Sequence, residues 1–263
     1  MGAMTYWECI RDAWSEAARF IQRKPLTVAI AFAILFACNA ISLVLSGAHS
    51  PVSPVGALRL LQLITTPIRL AVMMALPIKV MQYVMLGESE SRARSVFGKE
   101  FWRYLGLSVA IGTGCIAVAL VVVGGGFFLT RSFKAHLGGA VSQLIVWGMI
   151  ALCFISFFGA RFSLLFCHVA MGRTTRWGAS WNDTSGRVWR IVVSHLLVSV
   201  PIEVLLIVMF ALVRKSLGTV GEQGLPYFIA AVLSLLTAAG MIVGSTCACW
   251  LYRRLARTLL EST

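Results

Sequence analysis

Six stretches of this sequence, each about twenty residues or longer and almost free of charge, constrain the fold more than any other feature. They run over about 26–46, 60–86, 102–130, 141–171, 188–213 and 226–252. The hydrocarbon core of a bilayer is about 30 Å thick, so a helix needs about 20 apolar residues to cross it. Only helices and closed barrels can do so, because no water is present there to satisfy a bare peptide group. The expected fold is all-α: a polytopic membrane protein with six transmembrane helices in a single domain over residues 1–263. The second and fourth stretches are long enough to tilt or to project beyond the bilayer. Only 13% of the residues are charged, about half the share in a soluble domain, which excludes a soluble globular enzyme.

The chain carries 23 Lys and Arg against 10 Asp and Glu, a net +13. The basic residues sit beside apolar spans and form no stripe of their own, so the charge reads as loops facing an anionic membrane surface and not as a nucleic-acid site. Placing the N-terminus, the 88–100 and 172–190 loops and the C-terminus on one side, with the span ends beside them, collects 17 of the 23 basic residues. Arg59, Arg69, Arg131, Lys134, Arg214 and Lys215 remain for the other. That asymmetry orients both termini toward the cytoplasm of a bacterial inner membrane. Residues 5–23 mix Glu8, Asp12 and Glu16 with Arg11, Arg19 and Arg23, which is not the pattern of a signal peptide. Trp7, Ile10, Trp14, Ala17 and Ile21 recur at steps of three and four, predicting an amphipathic helix at the membrane surface.

Charged side chains inside a span are costly and therefore candidate functional groups. Glu203 lies about midway in the fifth stretch, two residues after Pro201, and Arg69 lies in the second, two residues after Pro67. Counted from the exterior edges the two fall at comparable depth, and the expectation is an ion pair inside the bundle. A transport or proton-relay role, and snorkelling of Arg69 to the exterior surface, are the alternatives. Lys79 and Arg161 lie near cytoplasmic helix ends, where they can anchor by snorkelling. His195 reads as a hydrogen-bonded bundle histidine. Four histidines in separate segments give no metal-ligand spacing, and seven cysteines in or beside apolar stretches imply no disulfide framework. No cofactor and no metal is expected.

Gly240 and Gly244 make a Gly-x-x-x-Gly step for helix packing in the sixth stretch. Gly124-Gly125-Gly126 marks a close crossing, a helix exit or a hinge in the third. Trp102, Arg103, Trp181, Arg187, Trp189 and Arg190 stand at stretch edges as interfacial anchors, the tryptophans at headgroup level and the arginines toward lipid phosphates. Asp183, Thr184 or Ser185 can cap the surface end of the fifth helix, and Gly186 permits close approach of a neighbouring backbone. Aromatic–basic entries at Phe20–Arg23, Phe101–Arg103 and Val188–Arg190 suggest three copies of a surface helix plus hairpin, although inner-membrane helices commonly begin with Trp and Arg at this edge.

The segment Gly159-Ala160-Arg161-Phe162, followed by Ser180-Trp181-Asn182-Asp183-Thr184-Ser185-Gly186-Arg187-Val188-Trp189-Arg190, resembles the Ser-Trp-x-x-Thr-x-Gly-x-x-Trp-Arg signature of a group of bacterial six-span membrane proteins. Pro67, Leu86-Gly87-Glu88, Val96-Phe97 and Phe101–Leu105 extend the likeness over residues 60–195, about half the chain. The group includes the membrane domain that precedes some glycerophosphoryl diester phosphodiesterases and stand-alone relatives of unassigned function. The resemblance implies the six-span fold. The phosphodiesterase activity of the two-domain relatives belongs to a separate soluble domain, so it is not carried over.

The resulting expectation is a non-catalytic membrane protein, an accessory or scaffolding subunit of a larger complex or an envelope-maintenance factor. Its partners would be membrane lipids and other membrane subunits. A small transporter or lipid-handling protein using Arg69 and Glu203 is the second reading. An intramembrane enzyme ranks last, because acid–base catalysis needs groups within about 3 Å of the substrate and only Glu203 and His195 are at hand.

Overall fold

The structure, a computed structural model, describes residues 6–47, 55–132, 140–216 and 225–260. Nine helices make up the described chain and no strand occurs among those residues. They are α1 (Tyr6–Arg23), α2 (Pro25–Gly47), α3 (Val55–Leu86), α4 (Glu88–Ala93), α5 (Lys99–Ser132), α6 (Ala140–Ala170), α7 (Trp177–Thr184), α8 (Val188–Ser216) and α9 (Leu225–Leu255). Six of these are long and apolar enough to cross a membrane, over Pro25–Val44, Leu61–Leu86, Lys99–Thr130, Ile145–Ala170, Val188–Leu212 and Pro226–Leu255. These bounds lie within four residues of the stretches read from the sequence. The connections over 48–54, 133–139 and 217–224 lie outside the described residues, as do the side chains of Arg59, Arg131, Arg214 and Lys215.

The chain divides into two compact units, one of residues 1–98 and 194–250, the other of residues 99–193 and 251–263. The first unit holds α1 to α4 with most of α8 and α9. α1 buries Cys9, Ala13, Ala17 and Phe20, residues spaced by four, four and three along one helical face. Of the apolar face read from the sequence, Ala17 lies on this stripe and Ile10 and Trp14 are half-buried beside it, while Trp7 and Ile21 are exposed. The buried positions are mostly small, and small residues let a second backbone come close. Accordingly Thr246 Oγ1 on α9 donates to the Ala13 carbonyl at 2.9 Å, and Cys9 Sγ lies 3.9 Å from Cys247 Sγ. The seven cysteines are all free thiols. Phe20 meets the Tyr83 ring edge-on, and the Trp14 indole donates to the Val198 carbonyl at 3.2 Å.

α4 is held down at both ends. Lys24 binds Glu88 at 3.2 Å, and this hydrogen bond, reinforced by the ammonium's charge, holds the Glu88 carboxyl below the usual glutamate range. Lys79 Nζ donates to the carbonyls of Ser91 (3.2 Å) and Arg94 (2.7 Å), the C-terminal groups of a helix that lack partners of their own. Lys79 therefore bonds to protein carbonyls where snorkelling to lipid was expected.

In the second unit α5 packs along α6. Gly126 is where they meet most tightly: a Cβ placed there would fall inside the Trp147 indole. Of the three readings of the glycine triplet the close crossing is the one formed, and only at Gly126, since nothing lies within 4 Å of a Cβ on Gly124 or Gly125. Gly240 and Gly244 in α9 likewise have open space there, so among the described residues they make no close crossing. Their helix is joined to its neighbours through side chains instead, among them Ser234 with Asn39 (2.9 Å) and Thr246 with Ala13.

Candidate functional site

Two places gather the polar side chains singled out by the sequence. The first, in the second unit, is the Ser180–Arg190 segment. Ser180 Oγ donates to the Arg161 carbonyl at 2.9 Å, and Thr184 Oγ1 turns back to the Ser180 carbonyl at 2.8 Å. The Arg161 guanidinium donates to the Trp181 carbonyl at 3.0 Å and lies 4.3 Å over the Trp181 ring and 5.1 Å from the Phe157 centroid. Arg161 is thus stacked between aromatics and hydrogen-bonded to α7, where anchoring in the headgroups was expected.

Asp183 has a role the sequence did not disclose. Its carboxylate accepts from the backbone N–H groups of Arg257 (3.1 Å), Thr258 (2.9 Å) and Leu259 (3.1 Å), and from the Thr258 hydroxyl (2.7 Å). It caps the turn that follows α9, and neither it nor Thr184 caps α8. Gly186 differs from expectation too: no backbone lies against it, but its φ of +70° is the left-handed turn between α7 and α8, which a side chain would strain. With four donors on two oxygens, Asp183 has no lone pairs arranged to serve as a general base or a metal ligand. Beside it, His168 Nδ1 and the Tyr252 hydroxyl meet at 2.8 Å, both fully enclosed.

Of the expected anchors, Trp189 is 78% and Trp102 64% exposed. Trp181 is occupied by Arg161, and Arg103 donates to the Gly172 carbonyl at the end of α6 at 3.3 Å. Arg187 is half-buried, and Arg190 is exposed.

The second place lies in the first unit, on α2 and α3. Arg69 borders a cavity of about 310 Å³ together with Cys38, Ser42, Thr65, Thr66, Leu70 and Met73. Thr65 and Thr66 both donate to the Gln62 carbonyl, one turn before Pro67. Arg69 and Glu203 do not pair: both are exposed and no ion pair joins them. Counting along two helices equates their depth but does not say which way each side chain faces: Arg69 borders the cavity between α2 and α3, whereas Glu203 is exposed on α8. His195 also departs from expectation, its Nε2 being buried without a hydrogen-bond partner.

Fold and sites together define a multi-pass helical membrane protein in which several polar side chains fasten short segments to the long helices, and a cavity bordered by Arg69 lies between α2 and α3. No family model, no curated protein and no solved structure matches the chain.

Proposed function

We propose that the protein is a non-catalytic accessory or scaffolding subunit of a larger assembly in a bacterial inner membrane, with both termini cytoplasmic. The observation that supports this reading is the state of α5. Only 6% of its apolar window is buried, and Val109, Ile116, Leu120, Val121 and Phe128 are between 56% and 73% exposed. A span touched so little by its own chain offers most of its circumference to a neighbour. The resemblance of Ser180–Arg190 to the six-span group agrees with a role of this kind, and it transfers no activity.

A photoreactive residue placed at Val121 in cells should give one discrete adduct with a second membrane protein, while the same residue at buried Ala151 should give none. Adducts with lipid alone at Val121 would contradict the proposal. The second reading, a small transporter or lipid-handling protein using Arg69 and Glu203, is supported by the cavity that Arg69 borders.

A further inference from the structure

A second gap between α2 and α3, on the side of α4, goes beyond the scaffold reading and is independent of it. It is a cavity of about 480 Å³. Small side chains keep it open: Ala31 lines it from α2, and Ala71 and Ala75, four residues apart on one face, line it from α3. Along α3 it runs from Lys79 to Ile68, eleven residues or about 16.5 Å, and on α2 it ends at Ile34, ten residues or about 15 Å from Lys24. Lys24 and Lys79 both bind α4 or its C-terminal carbonyls at the membrane edge. The cavity therefore runs from that edge to the middle of a hydrocarbon layer about 30 Å thick.

Its two ends differ. The polar lining residues, Thr27 and Lys79, stand at the edge end, joined there by exposed Val96 and Phe97. The inner end is apolar, between Ile34 and Ile68; Arg69 borders the separate cavity beyond it, with Cys38 and Ser42. Ile30 and Ile68, 51% and 44% exposed, leave the long side open. Around the edge end, residues 23–24, 79 and 88–97 bring five cations against two carboxylates, Glu88 and Glu90. An apolar gap stays dry, and bare walls forfeit their packing contacts, so an apolar body fills such a space. A partner helix crosses the whole layer, about twice the length of this groove, whereas an acyl chain of one leaflet reaches only to the middle. The head of such a lipid falls among the surplus cations, which favour an anionic one.

We propose that this cavity holds one acyl chain of an anionic phospholipid from the leaflet on the side of α4. The end of the chain lies between Ile34 and Ile68, its ester end lies beside Thr27, and the phosphate stays at the basic edge formed by α4 and the end of α1.

The test titrates the full chain, in detergent micelles, with phosphatidylglycerol carrying a photoreactive diazirine midway along one acyl chain, and maps the adducts by peptide. In the wild type, labelling within 30–34 and 68–75 should saturate, whereas labelling around Ile207, 68% exposed on α8, should rise in proportion to the probe. Ala71→Phe, whose ring fills the middle of the cavity, should remove the saturable part and leave the labelling at Ile207. The same probe built on phosphatidylcholine should need about tenfold more to reach half-saturation. Labelling that rises in proportion at both places, or none within 30–34 and 68–75, would overturn the site on the wild type alone. Equal half-saturation by the two probes would overturn the anionic headgroup. Displacement by a like amount of palmitate would overturn a phospholipid as the source of the chain.

Discussion

At the scale of single residues, the charges near the membrane edge act as caps. Lys79 takes the carbonyls that end α4, Arg103 one that ends α6, and Arg161 one in α7. In each case a cation meets the negative end of a helix, where it is stabilising. Asp183 is the anionic counterpart, gathering three consecutive N–H groups at 257–259. Asp183→Ala leaves those donors without their acceptor, and hydrogen bonds to a charged group are worth about 1.5–3 kcal/mol each. Because they share one carboxylate the loss is not additive, and local opening of the 257–259 turn should become easier by about 2 kcal/mol. Hydrogen exchange at the Leu259 amide should then lose about 30-fold of its protection, with Asp183→Asn intermediate; unchanged exchange would refute the cap. The sequence exposed the need of Asp183 for a partner but not its identity, since the partner lies 74 residues or more away. A local reading assigned it to the adjacent helix start.

At the scale of elements, periodicity reveals that a helix is amphipathic more readily than which side it buries. α1 was legible as a helix over nearly its whole length, but its large side chains Trp7 and Ile21 are exposed and do not mark the stripe that meets α9. Small Cys9, Ala13 and Ala17 decide the packing because close approach of α9 depends on their size. Glycines pose the same problem, being written alike whether they are crowded or open. Gly126→Ala must displace Trp147 and should destabilise the α5–α6 pair by about 1–3 kcal/mol. Gly240→Ala meets no atom within 4 Å and should be neutral or gain up to about 1 kcal/mol from helix propensity. Denaturant titration of the two variants in one detergent separates these outcomes, and equal effects would refute the close crossing.

At the scale of the whole molecule, the six spans were legible because the bilayer imposes a length on every helix that crosses it. What escaped the sequence was facing: Arg69 and Glu203 each lie in a span, yet Arg69 borders the cavity between α2 and α3 while Glu203 is exposed on α8. The six crossings are the claim on which the rest depends. Topology reporters inserted into each connection test this most directly. A fluorescent protein that matures only in the cytoplasm should glow in the 88–99 and 172–187 connections and at both ends of the chain. A phosphatase active only outside should work within 48–54, 133–139 and 217–224. The same reporter active in two connections joined by a single span would contradict six crossings.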